Sequence, residues 1–312
     1  MVTPETAGDP MRPRKWVRSS LRQLRQRLAD VGHAVSAPTV SRLLQQHDYA
    51  LRVNAKEKEA GSQHPDRDMQ FQYIEAQQQA FAAAGQPIIS VDTKKKELIG
   101  DFKNAGQVWC QQAIEVNVHD FPSDALARAV PYGIYDPRRN HGAVYVGTSG
   151  DTPEFAVTAI AQWWEQTGRV AYPQATQLLI LGDAGGSNGY RPRLWKAQLQ
   201  SRLSDGLGLR VTVCHDPTGC SKWNPIEHRL FSQISLNWAG QPLRTLETML
   251  GYLRDTTTTT GLQVTATPLE GVYQTGKKVP DAVMKTLEVA HHAICPQWNY
   301  TIRPRVEGAL RT

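Results

Sequence analysis

Cysteines are few in this sequence, and long apolar runs are lacking. Its 312 residues include only four cysteines, widely separated, which argues against a disulfide scaffold and fits a reducing compartment. No stretch of about 18 uncharged apolar residues occurs, which excludes a transmembrane helix. The N-terminal sequence MVTPETAGDPMRPRK has no apolar segment, so a secretory signal is not expected. These features predict a cytoplasmic protein with no membrane partner.

Positive charge is concentrated near the N-terminus. The chain carries 35 basic and 29 acidic residues, a net charge of +6. Residues 11–58 alone hold 11 basic and three acidic residues, a local net charge of +8, and residues 59–312 sum to zero. A local cationic field of this kind is typical of a module that binds a polyanion such as nucleic acid. The alternative is a solvated basic helix face without a partner.

The same segment has the pattern of two short helices. Its apolar residues recur at helical spacing, Gly32 marks the end of the first helix, and Ser36 is a candidate N-cap for a second helix reaching His47. This layout is typical of a helix-turn-helix DNA reader. We therefore predict a small N-terminal helical (helix-turn-helix-like) DNA-binding domain with its linker over residues 1–60. The apolar stripe comprises Val17, Leu21, Leu24, Leu28 and Val31. The candidate DNA contacts are Arg18, Arg22, Arg25, Thr39, Ser41 and Arg42.

Residues 61–312 alternate between strand-like and helix-like segments. Helices are predicted over 66–84, over 153–167 with Gly168 as the terminator, near 191–204 and from 225 onward. The predicted strands are QPIISVD, QVWCQ, AIEVNVHDF, HGAVYVGTS, QLLILGD and LRVTVCHD. This order predicts an α/β domain, a mixed sheet with helices on both faces.

Three acidic residues occupy positions where α/β proteins form sites. Asp92 and Asp183 end predicted strands, and Glu227 lies in the first turn of the helix that begins at Asn224-Pro225. Converging carboxylates could hold two Mg²⁺ ions, which prefer oxygen ligands and stabilise attack at phosphorus. Each residue also has a structural interpretation: both aspartates could form turns, and Glu227 could cap its helix.

Several long strings resemble the Rhodopirellula-type insertion-sequence transposases, within the DDE transposase and integrase group. They are ISVDTKKKELIGDFKNAGQVW, VNVHDFPS, PYGIYD, LLILGDAGGSNGYRPRLWK and VCHDPTGCSKWNPIEHRLFSQISLNW. The resemblance implies a ribonuclease H-like catalytic domain over residues 61–312 and places the acidic, metal-binding triad on Asp92, Asp183 and Glu227. It implies Mg²⁺-dependent DNA cleavage and strand transfer by a polynucleotidyl transferase, with Mn²⁺ as a substitute ion. The implied partners are double-stranded DNA, as terminal inverted repeats and target, and further copies of the chain on DNA in the bacterial cytoplasm.

Two departures from the family pattern lead to further expectations. The chain is expected to begin inside the family's DNA-binding region, and Pro225 stands where we expect a basic residue. Proline is tolerated in the first turn of a helix, so the site should persist.

Other residues near the triad are candidates for DNA contact. Their alternatives are a solvated face for the charged residues and packing for the tryptophan. Cys214, His215, Cys220 and His228 do not have an established zinc spacing, and no zinc is expected. The candidates are Lys94, Lys95, Ser187, Asn188, Lys222, Trp223 and Arg229.

Three functions are compatible with these features. The first is an active DDE transposase, and the second is a catalytically inactive, truncated DNA-binding remnant of one. The third is a glycosidase with two catalytic carboxylates. The basic N-terminal segment and the lysines beside Asp92 argue against the glycosidase, because neutral sugars need neither.

Overall fold

The structure is a computed structural model of the chain. It describes residues 6–8, 15–17, 19–49, 65–107, 110, 112–118, 122–220 and 223–305. Two of the candidate DNA contacts, Arg18 and Lys222, lie outside these ranges. The chain divides into two compact units, Met1–Ala60 and Gly61–Thr312. Among the residues described, no helix is both long enough and apolar enough to cross a membrane.

The N-terminal unit contains a short antiparallel pair of strands and two helices. Strand β1 spans Thr6–Gly8 and β2 spans Lys15–Val17. Helix α1 spans Leu21–Asp30 and α2 spans Ala37–Gln46. Between the two helices, Gly32 has a φ of +87°, the left-handed conformation expected of a glycine that follows a helix.

Hydrogen-bonded caps fix where both helices begin. Ser20 and Gln23 form a reciprocal capping box, so α1 starts at Leu21. The prediction that Val17 belongs to this helix is wrong, because Val17 lies in β2, before the cap. The predicted cap of the second helix is confirmed, since the Ser36 hydroxyl accepts from the Thr39 N–H at 3.3 Å.

The C-terminal unit is built on one mixed sheet. Its described strands are β3 Ile88–Thr93, β4 Glu97–Ile99, β5 Ala127–Asp136, β6 His141–Gly147, β7 Gln177–Gly182, β8 Arg210–His215, β9 Gln263–Pro268, β10 Val289–His291 and β11 Asn299–Ile302. Their order is β10-β11-β8-β7-β3-β5-β6-β9, with β4 paired to β5. The pairs β3/β7, β7/β8 and β6/β9 are parallel, and the other pairs are antiparallel.

Helices cover both faces of this sheet. They are α3 Arg67–Ala83, α4 Pro153–Trp163, α5 Arg169–Ala171, α6 Arg193–Gln198, α7 Ser232–Asn237, α8 Leu246–Arg254 and α9 Asp281–Met284. Three π-helical segments continue or precede them, Trp164–Gly168, Leu199–Asp205 and Glu227–Phe231. The predicted α/β architecture, a mixed sheet between layers of helices, is confirmed.

Alternate side chains of the central strands pack in separate hydrophobic cores. Ile89 and Val91 of β3 pack in one core with α4, whereas Ile88 packs with α3 in another. Val144 and Val146 of β6 belong to a third core with the helix that begins near residue 225. Strand side chains alternate between the two faces, so one short apolar run supports helices on both sides of the sheet.

Two sequence predictions in this unit are wrong. Residues 113–118 form only one isolated bridge, Phe102 to Asn117, instead of the strand expected over 113–121, of which 119–121 are not described. Ile114 and Val118 are exposed there, so no packed face supports a strand. Gly168 does not end its helix, which continues to Ala171. The strand expected over 107–111 lies mostly outside the described residues.

Candidate active site

Two of the predicted acidic residues lie on neighbouring parallel strands. In the register of β3 and β7, Val91 stands opposite Gly182, and the next residue of each chain segment is acidic. Asp92 and Asp183 therefore meet at the carboxyl edge of the sheet, where α/β proteins place their ligands. The chain between the two strands forms β4, β5, β6 and α4 before it returns to pair β7 with β3.

Glu227 reaches the same edge because its helix is tied to β3. The Ser90 hydroxyl donates to Asn224 Oδ1 and accepts from the Ile226 N–H at 3.2 Å. The Asn224 amide also donates to the Val91 carbonyl at 3.4 Å. Ser90 and Asn224 are fully buried, so these bonds hold the start of the helix against the strand that carries Asp92.

Two glycines let this helix lie directly on the sheet. A Cβ added to Gly133 of β5 would stand 2.5 Å from Phe231 Cε1 and 2.8 Å from Ile226 Cδ1. A Cβ added to Gly142 of β6 would stand 2.5 Å from Leu230 Cδ1. These separations are below van der Waals contact, so a side chain at either position would force the facing side chains of this helix to shift.

Burial raises the pKa of all three carboxyl groups. Burial and then the charge of Asp183 raise the pKa of Asp92 to about 8. Burial is also the largest cause of the raised pKa of Asp183, with added repulsion from Glu227. Burial raises the pKa of Glu227, and a hydrogen bond with Asp92 opposes that rise. The hydrogen bond between Asp92 and Glu227 requires a proton on one of the two carboxyl groups.

Two further acidic residues stand beside the triad. Asp151, in the loop after β6, accepts from Thr93 Oγ1 at 3.1 Å, and its charge contributes to the raised pKa values of Asp92 and Asp183. Asp216 directly follows β8, and its Oδ2 is buried without a hydrogen-bond partner. Burial and then the charge of Asp183 raise the pKa of Asp216 to about 7.

The glycine-rich loop after Asp183 folds back onto it. The Asn188 amide donates to Asp183 Oδ1 at 3.3 Å, and both Asn188 and Ser187 are buried. The Ser187 hydroxyl lies 3.4 Å from Thr93 Oγ1, next to Asp92. The structure thus brings these two predicted phosphate-binding residues to the acidic cluster.

The lysines that follow Asp92 have different surroundings. Lys94 is buried; its Nζ lies 3.3 Å from Glu97 and 4.8 Å from the centre of the Trp238 ring, and its charge lowers the pKa of Glu227. Lys95 is exposed and lines the cleft over Asp92. Lys94 is therefore placed to compensate Glu227, and Lys95 to meet a ligand.

Behind Asp183 lies a buried chain of hydrogen bonds. His215 Nδ1 stands 2.9 Å from the Asp183 carbonyl oxygen, which can only accept, so Nδ1 carries the proton. Burial lowers the pKa of His215 to about 4, so the ring is neutral and Nε2 accepts from the Tyr300 hydroxyl at 3.1 Å. Trp195 Nε1 completes the chain by donating to that hydroxyl at 2.9 Å. The Asp183 carbonyl, the His215 ring, the Tyr300 hydroxyl and the Trp195 indole each have a hydrogen-bond partner, and these bonds hold the backbone at Asp183 in place.

The remaining predicted DNA contacts are spread over the surface of the two units. Trp223 is 56% exposed and meets Phe71 edge-on at 6.2 Å between ring centres, and Arg229 is exposed on the helix of Glu227. In the N-terminal unit, three predicted residues are exposed and two are half-buried. The exposed ones are Arg22, Arg25 and Arg42, and the half-buried ones are Thr39 and Ser41.

A family model described as the Rhodopirellula transposase DDE domain matches residues 1–304. The chain belongs to this transposase family. Among curated proteins, no match was found.

Solved structures of Mos1 transposase complexes are similar to the chain. A paired-end complex with the left transposon end has 14% identity and a TM-score of 0.45, covering 79% of this chain and 73% of that one. The Mos1 strand transfer complex has 14% identity and a TM-score of 0.44, with coverages of 79% and 72%. The Mos1 mariner paired-end complex with Mn gives the same values.

The donor set of this transposase-family site fits a hard divalent cation. Its acidic side chains offer carboxylate oxygens, the ligands that such ions prefer. Burial first, and then repulsion between neighbouring carboxylates, raises the pKa values of Asp92, Asp183 and Asp216. Within the described part of the chain, no three acidic, histidine or cysteine side chains already stand in position to ligate one ion. Binding therefore requires the carboxylates to turn toward a shared ion, which would replace the proton between Asp92 and Glu227.

Four residues of the site were missed from the sequence. Asp151 lies two residues after the predicted strand HGAVYVGTS, so its position near the end of a strand was an available signal. Asp216 is the last residue of the predicted strand LRVTVCHD, as Asp92 and Asp183 are of theirs. Ser90 and Tyr300 gave no signal, because their partners Asn224 and His215 lie 134 and 85 residues away along the chain.

Proposed function

We propose that this chain is an active DDE transposase that cleaves DNA at insertion-sequence ends and joins the freed ends to target DNA. The proposal rests on one observation: three acidic residues that are far apart in sequence are carried to one edge of the sheet. Asp92 and Asp183 follow the paired residues of β3 and β7, and Ser90 of β3 holds the start of the helix that carries Glu227. Membership of the transposase family supports the same chemistry.

Asp92, Asp183 and Glu227 would hold two Mg²⁺ ions, for which Mn²⁺ can substitute. When bound, such ions activate the attacking water or 3′-hydroxyl and stabilise the leaving oxygen in an in-line displacement. These ions prefer oxygen ligands, and the site offers several carboxylates close together.

The chain's own groups position these carboxylates. Asn188 holds one oxygen of Asp183, and the neutral His215 holds its backbone carbonyl. The bonds of Ser90 to the start of the helix keep Glu227 beside Asp92. Lys95 is exposed at the mouth of the cleft, where an ammonium group can meet the scissile phosphate.

The N-terminal unit would supply DNA binding through its exposed arginines. Arg22, Arg25 and Arg42 neutralise phosphates, a contact that positions a protein on DNA without reading sequence. We propose residues 1–60 as the helix-turn-helix-like DNA-binding domain and residues 61–312 as the catalytic domain. The partners would be terminal inverted repeats, target DNA and further copies of the chain bound to DNA in the bacterial cytoplasm.

A cleavage assay tests this function. Purified protein is incubated with DNA carrying the element's ends in Mg²⁺, Mn²⁺ or chelator, and the products are resolved on denaturing gels. We expect cation-dependent nicks at the ends, and we expect Asp183→Asn to bind the same DNA without cutting it. Binding by the wild type without any cation-dependent product would establish the alternative, an inactive DNA-binding remnant. Cleavage retained in Asp183→Asn would refute the proposed triad.

A further inference from the structure

A second cleft adjoins the one that contains the triad. The cleft over Asp92 has a volume of 440 Å³, and its neighbour has a volume of 590 Å³. Both are lined by Asp151, Gly186 and Ser187, so one opens beside the other. A ligand held at Asp92 and longer than one cleft therefore extends into the next.

The far wall of the second cleft is a loop, residues 269–280, fastened at both ends. Near its start, the Tyr273 N–H donates to Ser149 Oγ at 3.2 Å. Close to its middle, Lys277 pairs with Glu154 of α4 at 2.5 Å. These bonds join the loop to the segment that carries Asp151, so the wall is formed before any ligand arrives.

The opposite end of the same wall is fastened to α6. Arg193 pairs with Asp281 at 2.5 Å and donates to the Val279 carbonyl at 3.4 Å. Within the loop, Gly276 adopts a φ of +77° in a tight turn two residues before Lys278, which is exposed. A non-glycine residue would be strained at this φ, so Gly276 supports the turn that precedes Lys278.

Basic side chains outnumber acidic ones along the wall of the second cleft. Three basic residues line it, Arg193, Lys277 and Lys278, against one acidic residue, Asp151. Arg193 and Lys277 are engaged with carboxylates, whereas within the described residues no ion pair involves Lys278. Lys278 therefore keeps its full charge for a ligand.

We propose that this second cleft binds the phosphates of a single DNA strand leading away from the scissile phosphate, with Lys278 as its principal contact. The inference rests on the proposed function, because it takes the triad cleft as the place of cleavage. A groove with lysines along one wall is the arrangement that tracks a polyanionic backbone without reading bases.

The test compares DNA probes that differ only in a single-stranded extension. Anisotropy measures binding of the full chain, in chelator, to a duplex with blunt ends and to the same duplex with a 3′ or a 5′ extension, over a range of salt. Random sequence suffices, because phosphate contacts carry no sequence information. The variants are Lys278→Ala and Lys278→Glu, with Lys285→Ala as the matched control, an exposed lysine outside the cleft.

We expect Lys278→Ala to weaken binding of one extended probe several-fold and to reduce its salt slope by about 0.7, the value for one lost contact to a single strand. Lys278→Glu should weaken it further, and binding of the blunt duplex should not change. Lys285→Ala should match the wild type on every probe.

The inference is overturned if Lys278→Ala matches Lys285→Ala on both extended probes, or if it weakens blunt and extended probes equally. Because chelator prevents cleavage, the result does not depend on catalysis. A wild type that never cuts would refute the proposed function and leave this binding result standing.

Discussion

Replacing Asp92 by asparagine should make the cation-free protein more stable, although it removes a residue of the proposed active site. Asparagine keeps the shape of the side chain and an oxygen that can accept from the Thr93 N–H, which now donates to Asp92 Oδ1 at 2.7 Å. It removes the charge that burial and the neighbouring Asp183 oppose. Active sites often retain such destabilising groups because the chemistry requires them.

The size of the gain follows from the pKa of Asp92. Folding raises this pKa from 3.8 to about 8, so the folded state holds the proton more tightly than the unfolded chain does. The stabilising contribution of that proton is complete below pH 3.8 and is lost as the pH rises to about 8. At about 1.36 kcal/mol per pKa unit, the loss is roughly 4 kcal/mol at neutral pH. Asparagine does not titrate, so its advantage should grow across this window and then level off.

Urea unfolding in chelator, followed by tryptophan fluorescence, measures this difference at several pH values. Asp124→Asn is the matched control, since Asp124 is exposed on the surface, and it should change stability little at any pH. Excess Mg²⁺ should stabilise the wild type through binding to the folded state, and Asp92→Asn much less. The reasoning fails if Asp92→Asn is no more stable than the wild type above pH 8, or if the difference does not depend on pH.

Three further substitutions test other parts of the structure. Tyr300→Phe leaves His215 Nε2 without its donor and should lower the free energy of unfolding by about 2 kcal/mol, measured with urea. Gly133→Ala places a methyl group against Phe231 and should reduce cleavage roughly 100-fold with DNA affinity retained, because small displacements of catalytic groups are costly. Arg25→Ala should reduce the salt slope of duplex binding by about 0.9, measured by anisotropy.

Each of these substitutions has a control in the same chain. Tyr273→Phe removes an exposed tyrosine hydroxyl and should cost little stability. Gly251→Ala adds a methyl group with nothing within 4 Å, so cleavage should stay at the wild-type level. Gln26→Ala changes an exposed uncharged neighbour of Arg25 and should leave the salt slope unchanged. A substitution that behaves like its control contradicts the corresponding argument.

The sequence predicted the centre of the sheet better than its edges. The runs that became β3, β7 and β8 are apolar and bounded by turn residues, so their strand character is local. Strand β5 was not predicted, because Pro131 and Gly133 interrupt its run. The strand forms nonetheless, paired with β3 on one side and β6 on the other, and a helix packs against Gly133. Such tertiary support cannot be seen in a local pattern.

The candidate site shows the same limit. Asp92 and Asp183 follow strongly apolar strands, so the sequence alone indicates that they share one edge. The position of Glu227 depends on the bonds of Ser90 with Asn224 and Ile226, which form only after distant segments pack. Local spacing favoured a helix cap for Glu227, whereas in the structure its carboxyl group bonds with Asp92.

The two glycines that face the Glu227 helix, Gly133 and Gly142, have a consequence for how an insertion sequence loses activity by mutation. Gly133 and Gly142 carry no side chain of their own, yet one methyl group added at either would force side chains of the helix that carries Glu227 to shift. On the proposed function, a copy with such a change would keep the N-terminal arginines that bind its ends and would lose cleavage. A silent copy of this kind would compete with intact copies for the same DNA, so decay at a buried position would restrain its relatives.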